Sequence, residues 1–318
     1  MAGSHVVSVT GPVAVGRLGI VDAHDHLFID SPGMPGQGFH DVERTVEEVE
    51  QGRQSGIGTI VEMTPIGLGR RPASMRAVAE ITGLTVIAAS GFHRDAHYPA
   101  GHWVYDAPVE LLRDRIVTDL TRGMHPADWN DPGAPLDRSR AGAIKGGASY
   151  HHVSPAERRR LEAIAAASAA TGAAILVHTE IGTSAHEIVD LLVGAGAAVD
   201  RIALAHLDRN PDWELHAEIA GRGVTLEYDT VGRTKYHPDS VVLDLIERVA
   251  AAGHLDRLLL GLDLGARDYL RAYGGGPGMR YLLATFVPRL RRRLGDDATD
   301  RILVTNPAAF YAIPGVTG

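Results

Sequence analysis

Short runs of aliphatic and β-branched residues recur along almost the whole chain, and a turn and a longer amphipathic or alanine-rich segment follow each run. Runs such as residues 258–261 (LLLG) lack polar alternation, which is typical of parallel strands buried on both faces. Eight runs are predicted to be strands: residues 18–29, 58–64, 85–91, 143–148, 174–179, 201–206, 224–228 and 257–263.

Helical segments are predicted between and after these strands. Ser154 and Pro155 with Glu157 form a helix start, since proline suits the first helical position and the glutamate completes a capping box. The predicted helices are residues 42–54, 72–81, 109–121, 155–170, 185–192, 212–220, 240–251 and 281–294. Eight β/α units fit a (β/α)8 TIM barrel. A doubly wound open sheet is the alternative, but it usually has fewer strands and collects ligands at one switch point.

No shift in composition and no low-complexity linker divides the 318 residues. We therefore expect residues 1–318 to form a single barrel domain. The segment from Thr305 through Asn306 to Tyr311 is predicted to be a short C-terminal closing helix. Two long polar loops, residues 93–106 and 123–139, are expected to rise from one face of the barrel.

Composition excludes several classes of function. The chain has 31 Lys+Arg against 39 Asp+Glu, a net charge of −8, so it offers no overall positive field to nucleic acid or anionic lipid. Its longest uncharged stretch, residues 163–177, is shorter than the ~20 residues that a membrane span needs, and the first residues show no secretion signal. The absence of cysteine excludes thiolate chemistry and favours a cytoplasmic location.

Titratable side chains stand where the predicted strands end, which is where barrel enzymes carry their catalytic groups. The first strand ends in two histidines spaced two residues apart, so both face the same side of an extended chain. Together the strands supply a set of six residues: His24, His26, Lys145, His178, His206 and Asp263. Any one of them alone could be a hydrogen-bonded structural residue.

Four imidazoles, one amine and one carboxylate are costly to bury together unless a metal ion or mutual pairing compensates them. Imidazole and carboxylate ligands favour zinc or another borderline divalent ion. An ammonium group at Lys145 would repel such an ion. Burial lowers the pKa of a lysine, and a neutral amine can capture carbon dioxide to form a carbamate, which would be a bridging carboxylate.

These motifs resemble the phosphotriesterase-like branch of the amidohydrolase superfamily over nearly the full length of the chain. They are HDH at 24–26, IKGG at 144–147, HT at 178–179, AHLDR at 205–209, GLD at 261–263 and TNPAAFYAI at 305–313. The resemblance implies two divalent metal ions, with zinc favoured over manganese, cobalt or iron. His24, His26 and Asp263 would hold the buried ion, and His178 and His206 the exposed one. Carboxylated Lys145 would bridge both ions together with a hydroxide.

The implied reaction is hydrolysis by the bridging hydroxide, without a protein nucleophile. Asp263 is the predicted catalytic residue, because it could accept the hydroxide proton and return it to the leaving alkoxide. Asp208 follows His206 by two residues and could orient that histidine or relay protons. An equally open alternative is that Asp208 caps the loop and pairs with Arg209.

The loops after the seventh and eighth strands concentrate basic residues, which indicates an anionic substrate in a net acidic chain. Ion pairs with aspartates on the rim are the alternative. The basic residues are Arg233, Lys235, Arg267 and Arg271. An aromatic loop after the third strand offers Tyr98 as a further wall of the substrate pocket.

The segments DTVGRTKY at 229–236 and YLRAYGGGPG at 269–278 resemble the subgroup of this family that hydrolyses phosphorylated sugar lactones. The resemblance implies that Lys235 and Tyr269, with Arg267 nearby, grip the phosphate. Ala266 departs from the basic residue expected beside Arg267, which puts the phosphate rather than the lactone in question.

The expected function is therefore ring opening of a small-molecule sugar lactone, phosphorylated or not, by a protein that the resemblance suggests is a homodimer. Alternatives on the same metal core are a phosphotriesterase, an acyl-homoserine lactonase and an amide hydrolase. A binding protein that has lost activity is a further alternative, although all six ligand positions are filled. The glycine-rich run at 274–278 lacks the Gly-Lys-Ser/Thr ending of a nucleotide phosphate loop.

Overall fold

The computed structural model describes residues 4–316, so the outermost residues of the predicted domain, 1–3 and 317–318, lie outside it. A short antiparallel hairpin precedes an eight-stranded parallel sheet with the order β10-β9-β8-β7-β6-β5-β4-β3. The strands are β1 His5–Ser8, β2 Gly11–Ala14, β3 Ile20–Asp25, β4 Ile57–Glu62, β5 Thr85–Gly91, β6 Ala143–Ala148, β7 Ile175–Thr179, β8 Ile202–Ala205, β9 Thr225–Tyr228 and β10 Leu258–Leu260.

The sheet closes between its first and last strands. The backbone N–H groups of Leu262 and Asp263, just beyond β10, donate to the carbonyl of His24 on β3 at 3.1 and 2.8 Å. At the chain end, the Tyr311 hydroxyl donates to the Ala23 carbonyl at 2.8 Å. The predicted (β/α)8 barrel is therefore confirmed, and the eight predicted strands match β3 to β10 within a few residues at their ends.

Helices surround the barrel in the predicted order: α1 Val42–Ser55, α2 Pro72–Thr82, α3 Val109–Thr121, α4 Pro155–Thr171, α5 Ala185–Gly194, α6 Trp213–Gly221, α7 Asp239–Ala251, α8 Val287–Leu294, α9 Asp296–Asp300 and α10 Asn306–Tyr311. The predicted capping box is present at α4. The Ser154 hydroxyl accepts the Glu157 N–H at 3.1 Å, and the Glu157 carboxylate accepts the Ser154 N–H at 3.0 Å. Within the described residues, no helix is long and apolar enough to cross a membrane.

Three parts of the chain differ from the prediction. Helix α9 and the π-helical turn after it, Arg301–Thr305, were not predicted. The helix predicted over 281–294 is a π-helical turn, Leu282–Phe286, followed by α8. Pro288 has no N–H group, so the hydrogen-bond ladder cannot continue regularly through this point. The hairpin β1–β2 was not predicted, because its strands have only four residues and Gly11 and Pro12 interrupt the pattern. It lies against the start of β5, where the Val9 N–H donates to the Val86 carbonyl at 2.9 Å.

Two hydrophobic cores hold the barrel. Large aliphatic residues fill the layer between the sheet and the helices, whereas small ones, such as Ala23, Ala89, Ala143 and Ala203, fill much of the barrel interior. Val6 of the hairpin belongs to the interior core. Close packing on both faces of the sheet fixes the strands, so their carboxyl ends form a rigid rim.

The seam between β10 and β3 depends on a glycine. A Cβ at Gly261 would lie 2.7 Å from the His24 nitrogen and 2.8 Å from the Glu227 Oε1 atom. Gly261→Ala should therefore destabilise the protein by about 1–3 kcal/mol, because backbone atoms must shift. Gly194→Ala is the matched control, since no heavy atom lies within 4 Å of its Cβ position. Thermal unfolding of both variants compares them, and an equal melting temperature would contradict this account of the seam.

Candidate metal centre

All six residues predicted as ligands lie together at the carboxyl ends of the strands. The His24 Nε2 atom is 2.9 Å from the Lys145 Nζ atom and 3.6 Å from the Asp263 Oδ1 atom. His26 Nε2 is 3.2 Å from the same Asp263 oxygen. The His206 ring centroid is 5.3 Å from that of His24, and the His178 centroid is 4.6 Å from that of His206. The donor atoms of His24, His206 and Asp263 lie within 4.8 Å of one another, a separation that suits a compact metal centre.

A neighbouring side chain holds one ring nitrogen of His24 on β3, of His26 directly after β3 and of His206 directly after β8. Asp229 accepts from two rings at once: its Oδ2 atom is 2.9 Å from His24 Nδ1, and its Oδ1 atom is 2.7 Å from His206 Nδ1. The Thr64 hydroxyl is 2.8 Å from His26 Nδ1. The Nε2 atoms of these three rings are therefore left for the centre.

His178 is held through its other nitrogen. Its Nε2 atom lies 2.9 Å from the Glu180 carboxylate, which also pairs with Arg94 at 2.9 Å. This contact leaves the Nδ1 lone pair of His178 available. Metal-binding histidines nearly always have their second nitrogen held in this way. The chemistry of the donor set thus fits a resident metal centre.

Burial keeps these rings neutral, as metal binding requires. It lowers the pKa of His24 to about 4, and the positive charge of Lys145 acts in the same direction. It also lowers the pKa of His178 to about 4, against the opposing effect of Glu180. Both imidazoles therefore have free lone pairs at neutral pH.

Lys145 lies on β6 among these rings and is fully buried. Burial lowers the pKa of its ammonium group to about 8, while Asp263 and Asp229 act in the opposite direction. A substantial fraction of the side chain is then a neutral amine near physiological pH. A neutral amine is the form that can react with carbon dioxide.

The two oxygens of Asp263 face different groups. Oδ1 faces His24 and His26, whereas Oδ2 accepts from Arg209 at 2.7 Å and from Arg233 at 2.9 Å. Burial alone would raise the pKa of this carboxyl, but Arg233 and then His206 hold it well below its usual range. Asp263 is therefore ionised.

The backbone at the centre is strained. His206 and Asp263 have φ values of +64° and +47°, in the left-handed region that residues other than glycine rarely adopt. Such strain persists only where the surrounding structure enforces it, and it concentrates at functional sites. Here it turns two predicted ligands toward the same centre.

A cavity of about 200 Å³ opens above these residues, a size that suits a small molecule. Lys235 and Tyr269 line it, and the Lys235 Nζ atom donates to the Tyr269 hydroxyl at 2.5 Å. Ala266 also lines the cavity, so the departure from the subgroup pattern lies at the site itself. Arg233 borders the cavity, but its buried guanidinium is bonded to Asp263 and to backbone carbonyls.

Two predicted substrate contacts are placed elsewhere. Arg267 is exposed and stands over the Tyr273 ring at 5.3 Å, because its side chain turns outward from the loop. The Tyr98 hydroxyl donates to the Ile66 carbonyl and accepts the His93 N–H, both at 2.9 Å. Neither Arg267 nor Tyr98 is among the described residues that line the cavity. Both placements correct the prediction: Tyr98 is a buried loop support.

Asp208 holds a loop, as one of its two predicted roles has it, but it neither orients His206 nor pairs with Arg209. Its Oδ2 atom accepts the Thr230 N–H at 2.8 Å, so it contacts neither His206 nor Arg209 through that oxygen. Asp229 orients His206 instead, and Arg209 pairs with Asp263. The reason is that β8 and β9 are neighbouring parallel strands, so Asp229, which follows β9, lies beside His206, which follows β8.

Sequence reasoning missed the outer residues of the centre. Asp229 had a detectable signal, because it directly follows a buried strand as the other predicted ligands do. Glu180 follows His178 by two residues, a spacing that placed it on the same side as the histidine. Thr64 and Arg209 had no comparable signal, since their roles depend on how separate loops meet.

Because one carboxylate holds two rings, Asp229 should matter more for metal binding than Asp208. Asp229→Asn should weaken metal affinity by about 10- to 100-fold, the usual effect of removing such a partner. Asp208→Asn is the matched control and should change the affinity by no more than a few-fold. Metal content by mass spectrometry and titration with a competing chelator measure both. Equal losses in the two variants would contradict this assignment.

Comparisons with known proteins agree from sequence and from structure. Residues 4–311 match the Phosphotriesterase family. A phospho-furanose lactonase of Mycoplasmopsis agalactiae is 34% identical over an alignment of 323 positions, which covers 96% of this chain and 91% of that protein. The crystal structure of an amidohydrolase from Mycoplasma synoviae has a TM-score of 0.93 at 31% identity, covering 99% of this chain and 94% of that one.

A second solved structure is the phosphotriesterase homology protein of Escherichia coli with phosphate in its active site. It has a TM-score of 0.83 at 29% identity and covers 93% of this chain and 99% of that one. The family suggested by the sequence motifs is thereby confirmed. This chain belongs to the phosphotriesterase family.

Proposed function

We propose that this chain is a binuclear metal-dependent hydrolase that opens the ring of a phosphorylated sugar lactone. One observation carries the proposal: four clustered histidine rings are each held through one nitrogen, and the free nitrogens of His24 and His26 face Lys145 or Asp263. The lactonase name of a 34% identical relative supports the lactone as the substrate class.

In this proposal His24, His26 and Asp263 would hold the buried ion, and His178 and His206 would hold the exposed one. A carbamate on Lys145 would be the ligand that the two ions share. Zinc suits this set of nitrogen and oxygen ligands, and manganese, cobalt or iron would also be accepted. When bound, two such ions supply a nucleophile from water at neutral pH and polarise the lactone carbonyl.

Asp263 moves the proton. Its carboxylate reaches the centre, so it accepts the proton of the attacking water and later returns it to the leaving ring oxygen. Arg209 and Arg233 bind Oδ2, which fixes the plane of the carboxylate during this transfer. Water is consumed, the ester bond breaks, and one carboxylic acid and one alcohol form.

The phosphate would bind at Lys235 and Tyr269, which meet at the cavity wall after β9 and β10. An ammonium and a phenol hydroxyl are both donors to phosphate oxygens. The phosphate in the active site of the Escherichia coli relative supports an anion subsite near the catalytic centre. Ala266 would leave this grip with one basic residue fewer.

Three broader expectations stay predictions. They are one barrel domain over residues 1–318, a homodimer and a cytoplasmic location. Light scattering of the purified protein tests the dimer, since the mass in solution should be twice that of one chain.

The role of Lys145 can be tested through metal content. Lys145→Ala should lose both ions, because the bridging ligand is removed, and short carboxylic acids added to the solution should restore part of the content. Lys235→Ala, a lysine on the cavity wall, is the control and should keep both ions. Unchanged metal content in Lys145→Ala would overturn the bridging role.

Sugar lactones compared with and without a terminal phosphate test the proposed substrate class. Pentono- and hexonolactones with a terminal phosphate should give about 10- to 100-fold higher kcat/KM than the same lactones without it, the expected effect of a charge-assisted contact. Lys235→Ala should abolish this difference. Arg267→Ala is the matched control and should keep it, because Arg267 is exposed outside the cavity.

Paraoxon, an acyl-homoserine lactone and an N-acyl amine complete the screen. Activity on these compounds alone would retain a metal hydrolase and reject the sugar lactone. Activity on unphosphorylated sugar lactones alone would reject the phosphate subsite.

A further inference from the structure

Two histidines that are absent from the proposed metal set line one wall of the cavity. His93 and His97 follow β5, and each is only 7% exposed. Their ring centroids are 3.9 Å apart, and the His93 ring lies 4.6 Å from that of His178. This wall therefore borders the catalytic centre directly.

The hydrogen bonds of His93 determine which of its nitrogens carries the proton. Its Nδ1 atom accepts the backbone N–H of Arg94 at 2.8 Å, so Nδ1 must be unprotonated. The single ring proton is then on Nε2. Among the described residues, the hydrogen bonds of His93 run through its backbone N–H and its Nδ1 atom, and the residue lines the cavity, where Nε2–H can meet a ligand.

The donor is also held in place. The His93 backbone N–H donates to the Tyr98 hydroxyl, which in turn donates to the Ile66 carbonyl. On its other side the ring packs against His97, whose Nδ1 atom is 2.7 Å from the Ser31 hydroxyl. A rigid donor loses little entropy when it binds an acceptor.

We propose that the Nε2–H group of His93 binds an acceptor oxygen of the substrate, namely a ring hydroxyl, and so selects polyhydroxylated lactones over alkyl lactones. The proposal rests on the proposed function. In the closed order of eight strands, β5 and β9 are four strands apart, so His93 faces the phosphate subsite at Lys235 across the barrel. A sugar lactone gripped at its phosphate would present its ring to this wall.

The protein would distinguish polyhydroxylated from alkyl lactones because an alkyl lactone offers no acceptor to the Nε2–H group of His93. A substrate that lacks the hydroxyl leaves the Nε2–H group without this hydrogen bond, which costs binding in the transition state. One such contact is worth about a 10- to 100-fold difference in kcat/KM.

Two substitutions separate the donor role from a structural role. In His93→Asn the amide oxygen can replace Nδ1 and keep the contact with the Arg94 N–H, but nothing replaces Nε2–H. In His93→Gln the longer amide can place an N–H group at the Nε2 position and leaves Arg94 without its acceptor. His40→Asn, an exposed histidine outside the cavity, is the matched control.

The assay compares a phosphorylated furanolactone with its 2-deoxy and 3-deoxy analogues. Wild-type protein, His93→Gln and His40→Asn should prefer the full substrate over one analogue by about 10- to 100-fold. His93→Asn should lose that preference through a higher KM, with unchanged metal content and melting temperature. A structural role predicts the reverse, with Asn tolerated and Gln impaired, and this pattern would overturn the proposal.

Binding of the ring-opened hydroxy acid, measured by calorimetry, separates this proposal from the proposed function. If wild-type protein hydrolyses no lactone, the proposed function fails. Tighter binding of the hydroxy acid by wild-type protein than by His93→Asn would still support the donor. Equal or undetectable binding by both proteins, or loss of metal from His93→Asn, would overturn it.

Discussion

The carboxylate of Asp229 holds two imidazole rings at once, and the chemistry of the site depends on that contact. A free imidazole can present either nitrogen, and two buried rings with unfixed tautomers would offer a metal ion no defined set of lone pairs. Since the two Asp229 oxygens bind Nδ1 of His24 and Nδ1 of His206, both Nε2 atoms are left for the centre. The negative charge of Asp229 also offsets the positive charges buried beside it. Although burial would raise the pKa of Asp229, the two histidines hold it well below its usual range, so the carboxylate stays available as an acceptor.

The barrel seam places Asp263 opposite this carboxylate. The backbone beyond β10 bonds to the His24 carbonyl, and Gly261 lets the two strands approach where a side chain would collide. The chain then enters the left-handed region at Asp263, which turns one carboxylate oxygen to the histidines and the other to Arg209 and Arg233. The two ion pairs of Asp263 offset the free energy of this backbone strain. The same few residues therefore close the barrel and orient the proton acceptor.

Much of this could be predicted from the sequence, for a physical reason. Buried parallel strands carry continuous apolar runs, and side chains at their carboxyl ends must converge on one rim, so His24, Lys145 and His178 were placed correctly from order alone. Beyond the strand ends this rule no longer applies, because the direction of a loop side chain depends on contacts between distant segments. Tyr98 turns inward to Ile66, and Arg267 turns outward over Tyr273. The same limit explains Asp208 and Asp229: both follow strands, and only the folded chain decides which carboxylate meets the histidine.

In the proposed function, opposite walls of the cavity recognise different parts of the substrate. Lys235 and Tyr269 offer charge at the mouth after β9 and β10, where a flexible ammonium can meet a solvated phosphate. His93 offers one neutral donor at the opposite wall, held by Arg94 and Tyr98. Charge acts over several ångströms and attracts many anions, whereas a single buried N–H group acts only at contact distance and only on an acceptor of matching position. In the proposed function, a substrate held at both ends would have its carbonyl fixed above the metal centre between them, and loops outside the ligand set would decide which ester is hydrolysed.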